Sequence, residues 1–250
     1  CLGAGISCKN REFPVVTTIN QCLLRDEVTV GYGNITSVVK KGEDVLENID
    51  WVFQDGIGYV FPKPTTVNVK NSVATGSWWL INKQSDSPKD EVKLDVFKLW
   101  LDHGERPSEE TYEYIVVPAT TIEKLESNIS KENVTVISNT PEVQAVIHSG
   151  LKMFQAVFYK AGEVQIIENL KLRCEAPGIV IIQAQQDNGV KITVADPNRK
   201  LGKMLLSVST KIEKRGKNFK SVWNEKEGMS EISIDLPQGN YAGSSVTINL

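Results

Sequence analysis

Short segments in which apolar and polar residues alternate, each closed by turn-forming residues, run through almost the whole chain. Phe97-Lys98-Leu99-Trp100-Leu101-Asp102 alternates with period two, as do Val190-Lys191-Ile192-Thr193-Val194 and Glu231-Ile232-Ser233-Ile234-Asp235-Leu236. That period turns one face to a core and the other to water, the mark of a half-buried strand. Two longer apolar runs, Tyr114-Ile115-Val116-Val117 and Gly178-Ile179-Val180-Ile181-Ile182, predict strands buried on both faces. Asp55-Gly56 and Asn188-Gly189 each sit between such segments. Both suit a two-residue hairpin, because its central positions need a positive φ that Asn, Asp and Gly tolerate.

One stretch breaks the rhythm. Thr120 with Glu123 three residues on reads as a capping box, which predicts a short helix from about Thr121 to Asn128. Little else has a 3.6-residue apolar period. The chain is therefore expected to be all-β, in antiparallel sandwiches. A boundary is expected near Glu168-Asn169. It follows a strand pair, Met153–Tyr159 with Val164–Ile167, and precedes Leu170-Lys171-Leu172. This divides the chain into 1–167 and 170–250, the second piece being right for a small sandwich.

Over 250 residues, with 40% hydrophobic, a sizeable core is available. The net charge of −3 argues against a nucleic-acid partner, which calls for a basic excess. It also provides no broad positive field, so a polyanion would have to be met by a local groove. No run of eighteen apolar residues occurs, so no membrane-spanning helix and no membrane partner are expected. The opening Cys1-Leu2-Gly3-Ala4-Gly5-Ile6 reads like the interior of a fold and not like a leader peptide, as if the chain were a piece of something longer. Cys1, Cys8, Cys22 and Cys174 match no zinc spacing, so buried free thiols are expected, with a Cys1–Cys8 or Cys8–Cys22 bridge open in an oxidising compartment.

Catalytic constellations are not evident. No nucleophile elbow, phosphate loop or metalloprotease helix occurs, and neither a metal nor a cofactor is expected. His103 and His148 stand at strand ends, where a turn residue bonding backbone is the plainer reading than a proton donor. Glu109-Glu110 and Asp86 with Asp90 read as solvated loop charges, not as a glycosidase pair. The aromatic pair Trp78-Trp79 followed by Asn82 is the strongest binding candidate. On a strand the two indoles face opposite ways, so one is free to stack on a sugar ring while Asn82 bonds hydroxyls. The basic stretch Arg199–Lys220, opposed only by Glu213, reads either as contact with an anionic polysaccharide or as a solvated hairpin, Leu205–Lys211 turning near Arg215-Gly216-Lys217. Asn34, Asn128 and Asn133 stand in formal glycosylation triplets.

Taken together, several of these segments resemble polysaccharide lyase family 8, the group of chondroitin AC, hyaluronate and xanthan lyases. They are Leu2–Ile6 with Thr17–Gln21, Trp51 through Asp55-Gly56 to Pro62, Gly76-Ser77-Trp78 with Ile81-Asn82, Asp102-His103-Gly104 with Pro107, Tyr112-Glu113-Tyr114 and Pro118, and Ala195-Asp196-Pro197. The resemblance implies the later part of a central supersandwich followed by a small C-terminal β-sandwich. It also implies a secreted or periplasmic bacterial enzyme, acting on an anionic polysaccharide of glycosaminoglycan type by β-elimination. The family's catalytic Asn, His, Tyr and Arg belong to an N-terminal α/α toroid, and no segment here matches them. No catalytic residue is therefore assigned, and the chain is expected to be inactive alone, supporting that domain and lining its cleft. The competing reading is a free-standing carbohydrate-binding or adhesion module.

Overall fold

A computed structural model describes residues 1–9, 12–127, 133–185 and 189–250. Strands account for 58% and helix for 5%, as the alternating pattern requires. Two compact units form: Cys1 with Gly5–Lys131, and Leu2–Ala4 with Glu132–Leu250.

The first unit contains the end of β1 (Leu2–Ile6), then β2 (Val16–Leu23), β3 (Thr29–Tyr32), β4 (Ile35–Val38), β5 (Glu43–Gln54), β6 (Ile57–Gly76), α1 (Trp78–Ile81), β7 (Val92–Asp102), β8 (Glu110–Glu113), β9 (Ile115–Pro118) and α2 (Ile122–Glu126). An antiparallel sheet runs β2-β7-β6-β5-β3-β4, with β9 added beside β6. Trp51 and Val52 are neighbours on β5 and both are buried, so both faces of this sheet are covered at that point. Val52 joins Ile49, Phe61, Phe97 and Leu99 on one side, while Trp51 packs with Val60 and Leu125 of α2 on the other. The Asp55-Gly56 hairpin forms as expected: Gln54 pairs with Ile57, and φ is 49° at Asp55 and 73° at Gly56.

The second unit is a two-sheet sandwich. Its strands are β10 (Val134–Asn139), β11 (Val143–His148), β12 (Met153–Phe158), β13 (Gly162–Ile167), β14 (Leu170–Cys174), β15 (Gly178–Ala184), β16 (Val190–Ala195), β17 (Lys203–Val208), β18 (Lys214–Arg215), β19 (Phe219–Asn224), β20 (Met229–Asp235) and β21 (Val246–Asn249). One sheet runs β10-β11-β12-β15-β16-β21 and the other β13-β14-β17-β20-β19-β18. Every second residue turns inward: Phe154, Ala156 and Phe158 from the first sheet meet Leu172, Cys174, Ile232 and Ile234 from the second. Each large side chain so buried contributes up to about 2 kcal/mol.

Several expectations are corrected. The division at 167/170 falls inside the β13–β14 hairpin, where Val164 pairs with Leu172 and Gln165 with Lys171. The compact units separate at 131/132 instead, because Glu168-Asn169 is a hairpin turn whose polar chemistry is the same as a linker's. Met153–Phe158 and Gly162–Ile167 are not partners; they enter opposite sheets. Ile115–Pro118 alternates between half-buried and exposed residues and is not covered on both faces. Leu205 lies on β17, which pairs with β14 and β20; the basic hairpin is β18–β19. The helix is α2, with its N-cap position at Thr121 and no side-chain bond closing it; Thr120 is buried and donates its N–H to Gly56 O. Asn128, where that helix was expected to end, and Asn188 of the second hairpin turn lie outside the described residues.

Candidate carbohydrate-binding site

The site is built on the longest strand. β6 pairs with β7 from Asn68↔Trp100 to Gly76↔Val92, whereas β5 stops pairing with β6 at Lys70 and β2 stops pairing with β7 at Val96. Residues 73–76 and 92–95 therefore project as a two-stranded arm. Its residues are almost all exposed, including Val73 and Leu94.

At the tip the chain makes one helical turn instead of continuing as a strand. Ser77 remains extended, the Leu80 N–H donates to Ser77 O at 3.1 Å, and the Asn82 N–H donates to Trp78 O at 2.8 Å. The strand geometry expected for Trp78-Trp79 is thus overturned, and with it the opposite-face argument. Four residues are too few to show a helical period in sequence. What bends them is the return loop, where the Trp79 N–H donates to Pro88 O at 3.0 Å.

The outcome separates the two indoles. Trp78 is 60% exposed, with Leu80 and Ile81 open beside it. Trp79 is half-buried, and Lys89 Nζ stands 4.6 Å from its ring centre. A cation already occupies that ring face, an arrangement worth about 0.5–1 kcal/mol at an exposed site. Trp78 is therefore the more open of the two indoles, and exposed Asn82 is tethered to its carbonyl one turn on.

The remaining polar residues fall into structural roles. His103 Nε2 lies 2.8 Å from Thr17 Oγ1, so its partner is a side chain and not backbone. His148 Nδ1 accepts the Leu151 N–H at 3.3 Å, as a turn residue does. No disulfide joins these cysteines in the structure, and only Cys174 is buried; Cys1 is exposed and Cys8 and Cys22 are half-buried. Burial raises the Cys174 and Cys22 thiols above their ordinary pKa, which keeps them poor nucleophiles.

Sequence reasoning missed one buried polar cluster. Asn20 Nδ2 donates to the Tyr59 hydroxyl and lies 3.6 Å from Cys22 Sγ, which donates to Gln54 Oε1 at 3.7 Å. Burial raises the Tyr59 pKa, and Gln54 Nε2 is buried with no partner among the described residues. Alternation places Gln54 on an inner face, but nothing local identifies its neighbours. Among the described residues no group of three or more His, Cys, Asp or Glu is arranged to hold a metal, and no helix is long and apolar enough to cross a membrane.

Comparison with known proteins agrees with this architecture. Residues 1–129 match the super-sandwich domain of polysaccharide lyase family 8, and residues 135–204 match that family's C-terminal β-sandwich domain. The chain is 36% identical to the chondroitinase-AC of Pedobacter heparinus, across 99% of this chain and 33% of that protein. It is 30% identical to a hyaluronate lyase of Thermasporomyces composti, across 80% of this chain and 25% of that protein. A chondroitinase AC lyase solved as enzyme–oligosaccharide complexes superposes with a TM-score of 0.81 at 31% identity, over 99% of this chain and 34% of that one. A Paenibacillus xanthan lyase superposes with a TM-score of 0.82 at 17% identity, which is a likeness of fold. The chain thus spans between about a quarter and a third of the length of these relatives. With both family domains matched in order on an all-β frame, this chain belongs to polysaccharide lyase family 8.

Proposed function

We propose that this chain is the non-catalytic β portion of a secreted or periplasmic bacterial lyase that cleaves a uronate-containing polysaccharide of the chondroitin or hyaluronan type. In the intact protein it supports an N-terminal helical toroid and lines the substrate cleft, with Trp78 and Asn82 contacting sugar and Trp79 steadying the tip of the arm. The observation that carries this reading is the identity to chondroitinase-AC over nearly the whole chain, combined with coverage of only a third of that enzyme. The reaction is β-elimination. With the uronate carboxylate neutralised, a base removes the C5 proton, the electron pair forms C4=C5, and the C4–O bond breaks. The departing oxygen takes a proton.

The new C4=C5 bond absorbs in the ultraviolet, so turnover is followed directly. The intact protein is expected to generate that absorbance from chondroitin or hyaluronan, and the purified 250-residue chain is expected to generate none. Sustained product from the chain alone would refute the non-catalytic role. Silence from the intact protein on every uronate polysaccharide would refute the lyase assignment.

A further inference from the structure

We infer that the outward face of the β14-β17-β20-β19-β18 sheet in the second unit is a binding site for uronate-containing polysaccharide. The first observation is electrostatic. Arg215 of β18 lies directly opposite Lys220 of β19, and cross-strand partners share a face. Like charges so placed repel, and neither is ion-paired with a described residue. Both are exposed, and Lys214 and Lys217 flank them.

The backbone that carries the pair is held. The Gly216 N–H donates to Phe219 O at 3.0 Å, and a Cβ at Gly216 would overlap the Phe219 ring, which packs on the core. Ser221 Oγ donates to Ile212 O at 2.7 Å behind them. Two cations on one face of a held hairpin are placed to meet one carboxylate together.

The second observation is a groove of about 520 Å³ into which Lys220 opens. Leu205 and Val222, 48% and 44% exposed, lie in an otherwise polar surface and offer an apolar footing to the C–H face of a sugar ring. Ser233 stands opposite both Leu205 and Lys220 in the strand register and can bond a hydroxyl. Of the carboxylates lining the groove, Glu227 is paired with Arg173 at 3.0 Å, whereas Glu231 accepts from the neutral Asn224 amide at 2.8 Å and keeps its charge. Glu175 directly follows β14 and lies beside Leu205, four strand spacings or about 19 Å from the Arg215 strand. The positive excess lies along the β18–β19 hairpin, where Lys214, Arg215, Lys217 and Lys220 outnumber Glu213. A basic edge strand alone would deter strand addition. That role accounts for neither Lys220, one strand in, nor the aliphatic floor.

The test is calorimetric titration of the 250-residue chain with hyaluronan and chondroitin oligosaccharides, with dextran sulfate as a polyanion lacking uronate. An Arg215→Gln/Lys220→Gln variant is titrated in parallel. The unmodified chain is expected to bind the uronate oligosaccharides, and the variant to bind them about tenfold or more weakly. The variant should melt at the same or a slightly higher temperature, because the repulsion is gone. No binding by the unmodified chain, equal binding by the variant, or equal affinity for dextran sulfate would overturn the inference. The ligand class rests on the lyase reading. Binding through these two residues by a protein whose intact form yields no unsaturated product would keep this site and remove that reading; product without binding here would do the reverse.

Discussion

Asp196 shows how one side chain fixes a loop. It is 3% exposed, and its carboxylate accepts backbone N–H groups from Asn198 at 2.9 Å, Lys200 at 2.6 Å and Leu201 at 2.7 Å. Burial pushes its pKa up, but the backbone donors outweigh that and hold it below the ordinary value. A depressed folded-state pKa means stability that is present above the unfolded value, near ~3.9, and is lost as pH falls through the folded value. Asp196→Ala is expected to cost about 1–3 kcal/mol in urea unfolding at neutral pH. The gap to the unmodified chain should narrow as the pH is taken below that of free aspartate. A gap constant with pH would mean the carboxylate charge is not what holds the loop. Gly31 is a second single-residue constraint, since a Cβ there would overlap the indole of buried Trp51. Gly31→Ala is expected to lower the melting temperature by several degrees, through overpacking of about 1–3 kcal/mol.

The arm formed by β6 and β7 is the element on which the binding proposal depends. Its tip residues contribute little to either core, so Trp78→Ala should change folding stability by less than about 1 kcal/mol. In the intact lyase the same substitution is expected to raise KM and leave kcat nearly unchanged, because stacking binds ground state and transition state alike. Trp79→Ala should lose the Lys89 contact and loosen the loop that returns through Pro88. Unaltered kinetics in Trp78→Ala, together with a stability loss of several kcal/mol, would identify Trp78 as a packing residue and end the platform idea. The aromatic pair was legible from sequence as a candidate. Its division into an open and a covered indole was not, because a four-residue helical turn leaves no periodic trace.

At the scale of the molecule, two units carry separate cores, and their division has a direct check. A piece covering 132–250 is expected to fold cooperatively by circular dichroism and denaturant titration. A piece starting at Glu168 lacks β10 to β13, with Val143, Phe154, Phe158, Val164 and Ile166 of the core, and is expected to be unfolded or aggregated. The opposite result would restore the boundary that turn chemistry alone suggests. The amino-acid sequence by itself determined the strands, the type of the Asp55-Gly56 turn and the all-β class, because alternation and positive-φ residues act within a few residues of themselves. Only the tertiary structure decided that β12 and β13 enter opposite sheets, that the unit boundary lies at 131/132, that Trp79 sits under Lys89, and that Arg215 faces Lys220. Period two tells a strand which of its sides is inward. It does not tell the strand its neighbour, which is set by non-local pairing and by which combination of faces closes a core.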